Sequence, residues 1–357
     1  MLINLIYFII VLSILIFVHE FGHFLVARIT GVKVLTFSLG FGKKLLTFRK
    51  GETEYVVSAL PLGGYVKMLG ESTDDVVAEE EASRSYSNKP PIVRTMIAFA
   101  GPFFNILFAA VVFFVIFVTG YPALSTTTEV GQVMPGDPAY AAGIKPGDVI
   151  ARIDGKEVRD WTDLQKTITG SPESRPMHFE IKRDGRTIDV WITPRLRDEK
   201  NIFQETVGKT RLIGVAPATE IRKEAPAAAA SKAVADTVRL TELTVIGIVK
   251  LIKGSISAKN VGGPIFIFQQ MGEHAKAGKS SFLSFLALIS INLGVINLLP
   301  VPILDGGHIA FSIIEIVVRR KIPTKALEVA QKIGLSILVL IMALAFFNDF
   351  MRIFHVQ

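Results

Sequence analysis

There is no cysteine anywhere in the 357 residues. That excludes disulfides, thiolate catalysis and Cys-ligated metal, so any metal ion would have to be held by His, Asp or Glu. Histidine is itself scarce: His19, His23, His178, His274, His308 and His355 are the whole supply. Basic charge is missing from the start of the chain. No Lys or Arg precedes Arg28, so there is no basic n-region, and no small-residue cleavage site comes before the first histidines. The first apolar run therefore reads as a retained helix and not a removed signal peptide. Polarity in general is in short supply. Half of the residues are apolar and the mean hydropathy is +0.45, which excludes a typical soluble enzyme.

Apolar runs of about 20 residues are long enough to cross a bilayer core. Candidate spans fall at 2–25, 95–119, 282–299 and 333–348, the third weakened by Asn292 and Asn297. Ten Lys and Arg lie from Arg28 to Arg94, and Arg319, Arg320, Lys321, Lys325 and Lys332 lie between the last two spans. Basic residues near spans mark the cytoplasmic side. Segments 28–94 and 300–332 are therefore expected in the cytoplasm, with both termini and the long stretch between the second and third spans outside. Five units of the net charge of +7 sit in 221–281, on the outer side. Long loops count for less in this rule.

Residues 31–69 alternate in polarity, are rich in Val, Thr, Phe and Tyr, and carry a hairpin signal at Lys50-Gly51. They predict a small antiparallel sheet beside the end of the first span. The acidic stretch 71–83 reads as a solvated loop. Residues 121–220 carry 14 basic and 15 acidic side chains and have a soluble composition. Inside them runs GDPAYAAGIKPGDVIARIDGKEVRDWTDLQKTI. It predicts a turn at Pro135-Gly136-Asp137, a short helix from Pro138, a turn at 145–148, a strand, a turn at Asp154-Gly155 and a helix from Trp161. This pattern resembles a bacterial PDZ domain, a module that adds an extended peptide to a sheet edge. From Ala225 to Lys253, Val234, Val238, Val245, Ile248 and Ile252 follow helical spacing among Lys and Arg. That fits an amphipathic helix at a membrane surface or one packed on the protein itself.

The expected fold is a polytopic α-helical membrane protein of about four transmembrane helices, with a small membrane-associated β-sheet and an inserted extracytoplasmic PDZ domain. The expected divisions are 1–120 for the first half of the membrane core, 121–220 for the PDZ domain and its flanks, 221–280 for an amphipathic helix and linker, and 281–357 for the second half.

The chemistry is concentrated in FVHEFGHFLVAR, which opens at Phe17. Two histidines four apart share a helix face and can pinch one metal ion, and Glu20 beside the first can take a proton from water. Ionisable groups inside an apolar helix are expensive, which points to a function. Zinc suits imidazole and carboxylate donors. A third ligand is needed, and INLLPVPILDGGHIAF offers Asp305, in a Pro- and Gly-rich turn, or His308. Asn105 and Asn297 are amides within apolar runs, suited to orienting a substrate carbonyl or to bonding helices together.

Four motifs together resemble the site-2 protease family. They are the His19-Glu20-x-x-His23 helix, GFG at 40–42, FAGPFFN at 99–105 and NLLPVPILDGGH at 297–308. With the PDZ-like insert, the chain is similar to the bacterial regulator-of-sigma-E protease branch. Well-known members of that branch carry two tandem PDZ domains, whereas the space here fits one. The resemblance implies an intramembrane zinc metalloprotease of the bacterial inner membrane, with ligands His19, His23 and Asp305 and catalytic Glu20. It also implies single-pass membrane substrates, such as anti-sigma factors or signal peptide remnants, peptide C-termini at the PDZ domain, and no nucleic acid. A membrane-anchored quality-control zinc protease would more usually draw its third ligand from a downstream Glu. A non-enzymatic PDZ scaffold would have no use for Glu20.

Overall fold

The computed structural model describes residues 2–71, 77–171, 175–203 and 205–355. The chain divides into two compact units, one of residues 1–118 and 225–357, the other of residues 119–224.

The first unit is built on helices that are long and apolar. Among the described residues four are long and apolar enough to cross a membrane: α1 (Leu2–Ile29), α2 (Pro91–Thr119), and the later Lys279–Asn297 and Thr324–His355. The last is much longer than the expected 333–348, because the polar residues before Ile333 continue the helix. α2 meets both α1 and the later Lys279–Asn297 helix at glycines. A Cβ on Gly22 would lie 2.5 Å from the carbonyl oxygen of Ala100, and one on Gly294 would lie 2.8 Å from that of Pro102. Small residues let helices approach backbone to backbone where no hydrophobic effect drives them together.

Between α1 and α2 lies the hairpin of β1 (Val34–Lys50) and β2 (Thr53–Met68). Gly51 turns it at a φ of +63°, a conformation that favours glycine. The strands fold over on themselves: 34–39 pair with 64–68, and 44–50 pair with 53–58. Val34, Phe37, Val66 and Met68 pack with Ala27 and Ile97, so the sheet is fastened to the end of α1 and the start of α2. Of the acidic stretch 71–83, residues 72–76 lie outside the described residues, and 79–84 form a short 3₁₀ helix.

The second unit begins and ends in one ribbon, since β3 (Tyr121–Leu124) pairs with a strand at Thr219–Arg222. Inside it follow β4 (Val130–Val133), α3 (Pro138–Ala141), β5 (Val149–Ile153), β6 (Lys156–Glu157) and α4 (Trp161–Thr169). Next come β7 (Met177–Arg183), β8 (Arg186–Ile192), β9 (Arg195–Lys200), β10 (Thr206–Leu212), β11 (Val215–Pro217) and β12, the Thr219–Arg222 strand. One four-stranded sheet runs β6-β5-β7-β8. Asp160 starts α4 by accepting a 2.8 Å hydrogen bond from the N–H of Asp163. Phe179 and Ile181 alternate inward, Ile150 and Ile153 join them across a register shift in β5, and all four close over Leu164 and Ile213.

The chain then returns to the first unit through α5 (Pro226–Ile252), α6 (Pro264–Lys276), α7 (Lys279–Asn297), α8 (Asp305–Val318) and α9 (Thr324–His355). α5 packs along α7, where Thr244 donates to Asn292 at 3.0 Å. Asp305 is the first residue of α8 and not part of a free turn. Gly306 and Gly307 permit this: a Cβ on either would lie within 2.4 Å of a carbonyl oxygen in 298–301. The helix start is folded hard against the turn before it.

Candidate metal centre

α1 carries His19 and His23 one turn apart, both buried, with their rings edge to face. Their Nε2 atoms are 3.3 Å apart. Asp305, brought in by the start of α8, places Oδ2 3.1 Å from His19 Nε2 and Oδ1 3.4 Å from His23 Nε2. Among the described residues these three form a cluster whose donor atoms all lie within 4.8 Å of one another. A tetrahedral ion with bonds near 2.0–2.1 Å holds its ligand atoms about 3.3–3.4 Å apart. The donor spacing therefore fits zinc, with two imidazoles and one carboxylate converging on one point.

The rings are held from α2. His23 Nδ1 donates to the carbonyl oxygen of Ile97 at 2.8 Å, which leaves its Nε2 as the free acceptor. Gly101 gives the rings their space, since a Cβ there would lie 2.3 Å from His23 Nε2 and 2.9 Å from His19 Cε1. Asn105, fully buried, sets its side-chain nitrogen 3.0 Å from His19 Nδ1. Asn297, at the end of α7, sets its own 3.3 Å from His19 Nε2. All the residues singled out in the sequence thus meet at one place, but on different sides of it. Asn105 is behind His19, and Asn297 is beside the converging atoms.

Glu20 faces a cavity of about 220 Å³ lined also by His19, His23, Asp305 and the strand Gly64-Tyr65-Val66. The strand comes so close that a Cβ on Gly64 would lie 2.9 Å from Glu20 Cγ. Glu71, Tyr86 and His308 line this cavity and also a larger one of about 620 Å³, so the two adjoin. Burial, and then Glu71, push the Tyr86 phenol well above its ordinary range, so it remains a hydrogen-bond donor. His308 borders the cavity without joining the donor cluster.

Gly64, Gly101 and the Ile97 carbonyl carry no chemical signature of their own in the sequence. Of these, Gly101 lies within the FAGPFFN motif and Gly64 lies in none of the motifs singled out. Neither position says what its glycine crowds against.

Peptidase family M50 matches residues 7–341. A Campylobacter jejuni protein named as a zinc metalloprotease is 37% identical over 347 residues, covering 97% of this chain and 92% of that one. The regulator of sigma-E protease RseP of Salmonella typhimurium is 33% identical over 450 residues, covering 98% and 99%. The PDZ domain of an SdrC-like protein from Listeria monocytogenes is similar to 27% of this chain and 90% of its own, with a TM-score of 0.21 and 18% identity. Apolar helices and relatives together define a membrane protein that is a metalloprotease. The chain belongs to peptidase family M50, the site-2 protease family.

Proposed function

We propose that this protein is an intramembrane zinc metalloprotease that hydrolyses peptide bonds within or next to the spans of single-pass membrane proteins. The observation that carries this reading is the convergence of His19 Nε2, His23 Nε2 and the Asp305 carboxylate at tetrahedral spacing, with Glu20 beside them inside an apolar helix. Zinc held by these three residues would polarise a scissile carbonyl and acidify a water molecule. Glu20 takes the proton of the attacking water and passes it to the departing amine, which needs a carboxylate within hydrogen-bond reach of both. The side-chain amide of Asn297 donates to the substrate carbonyl and holds it toward the ligands.

A protease attacks extended backbone, so a substrate helix must unwind locally. Its freed N–H and C=O groups cannot be left unpaired in lipid. The strand 64–66 borders the cavity and offers a sheet edge to receive them. The adjoining cavity, with Lys67, Arg94, Lys321 and Glu328 in its lining, supplies water from the cytoplasmic side.

In this reading the active site lies toward the cytoplasmic face of a bacterial inner membrane, and the 119–224 unit is an extracytoplasmic PDZ domain. Its groove between α4 and β10, a space of about 300 Å³ lined by Trp161, Leu164, Ile168 and Leu212, takes peptide C-termini and screens substrates. Anti-sigma factors and signal peptide remnants are the fitting substrate classes.

The test is Glu20→Gln in membranes with a single-pass substrate. The amide keeps the shape and cannot accept a proton, so cleavage should fall by about 10²–10⁴-fold with zinc still bound. Cleavage at the wild-type rate would remove Glu20 from the mechanism.

A further inference from the structure

Ile97, Gly101 and Asn105 are four residues apart on α2 and therefore share one face of it. Each does something different to the histidine pair. The Ile97 carbonyl takes the Nδ1 proton of His23, Gly101 makes room, and Asn105 meets Nδ1 of His19. Asn105 is itself anchored, since Ser290 Oγ on α7 donates to its backbone carbonyl at 2.7 Å. Its side-chain Oδ1 is buried with no hydrogen-bond partner. A lone acceptor inside an apolar bundle is costly, so its partner is worth identifying.

For His19 to present a lone pair at Nε2, beside that of His23 and the Asp305 carboxylate, its ring proton must sit on Nδ1. A neutral imidazole carries only one. The group facing Nδ1 must then accept, and a carboxamide nitrogen cannot. The two ends of a carboxamide have nearly the same shape, so a half-turn about Cβ–Cγ exchanges them. That turn puts Asn105 Oδ1 on the Nδ1–H of His19, the counterpart of the Ile97 carbonyl on His23.

We propose that Asn105 is a positioning residue that, through Oδ1, holds His19 in the tautomer whose Nε2 faces the metal. The inference rests on His19 being a ligand. Of the two roles that the sequence left open for Asn105, orienting a substrate carbonyl or bonding helices together, it sets aside the first and places the residue at the back of the site. Partners of this kind fix the ring and raise its basicity, and their loss costs about 10–100-fold in metal affinity.

The experiment is zinc affinity of the purified full-length protein, measured by competition with a chromogenic chelator, with thermal unfolding as a folding control. Asn105→Leu should bind zinc about 10–100-fold more weakly. Asn105→Asp, which has the same shape and can only accept, should bind as tightly as wild type or more so. A purely structural amide gives the opposite order, because the buried carboxylate would then be the worse substitution. Leu binding like wild type, or Asp loosening zinc tenfold or more, would overturn the proposal. Should the Leu variant not fold, the Asp variant decides alone by the same criterion. His19→Ala tests the underlying reading separately: undiminished zinc affinity there would remove the ligand, whatever Asn105 does.

Discussion

In the 119–224 unit the large apolar side chains are enclosed; in the helical unit many of them lie on the surface, while a cluster of polar side chains lies inside. Phe179, Ile150, Ile153 and Ile181 have no exposed surface. Leu340, Val317 and Phe354 are 71–75% exposed, whereas His19, His23, Asn105, Ser290 and Asp349 are enclosed. The contrast is the one that two solvents would leave. Water drives apolar side chains together. Lipid does not, so helices in a bilayer are joined by glycine contacts and by polar groups that pair inside.

Three enclosed carboxylates sharpen the contrast. Asp148, in the inserted unit, accepts from Arg183 Nε at 2.6 Å and from the Lys145 N–H at 2.8 Å. Asp349, in α9, accepts from the N–H groups of Gly263, Ile265 and Phe266 at 2.9–3.1 Å, where the positive end of α6 meets it. Both are matched by hydrogen-bond donors of the protein itself. Asp305, among the described residues, is paired with two imidazole nitrogens, and these three side chains could together hold a metal ion.

The largest effect should come from Asp305. Asp305→Asn should lose zinc affinity by at least about 100-fold and lose activity with it, since a direct ligand matters at least as much as its supports. His308→Ala should keep most of the metal. Metal content of the two purified variants separates them, and full zinc in the Asp305 variant would erase the distinction drawn among the three carboxylates.

Next in size is a cavity in the other unit. Phe179→Ala should destabilise residues 119–224 by about 3–5 kcal/mol and leave zinc content at the wild-type level. Hydrogen exchange on the full chain would show the loss confined to that unit. A parallel loss of zinc would mean the two regions are not independently held.

The smallest effect is on acid stability. Burial alone would raise the Asp148 pKa, but the Arg183 guanidinium and the Lys145 N–H outweigh it and hold the carboxyl below its ordinary range. An unfolded Asp titrates near about 3.9. Because the folded value is lower, the carboxylate's contribution is complete above that pH and is lost as pH falls through the folded pKa. The stability of the inserted unit, followed against pH, should thus decline below about pH 4, and Asp148→Asn should flatten the decline.

Much of this architecture can be read from the chain because it is written in local periodicity. Apolar runs mark the four long helices, Lys50-Gly51 marks the hairpin, and the four-residue interval puts His19 and His23 on one face. Other features depend on distant partners. α6 and α8 are short, and their apolar residues do not stand out from their surroundings. Asp305 begins a helix because Gly306 and Gly307 tolerate carbonyl oxygens at distances no side chain would. Nothing near Asn105 in sequence says that its neighbour is an imidazole on another helix.

In the proposed function, the polar centre enclosed in the apolar bundle cuts peptide bonds at the depth of the membrane. Mass spectrometry of the fragments of a single-pass substrate, cleaved by the wild-type protein in membranes and compared with Glu20→Gln, tests it most directly. The expected result is a cut within the apolar span or at its edge, absent from the Glu20→Gln sample. Cuts confined to the substrate's water-exposed segments, or the same cuts from the Glu20 variant, would contradict it.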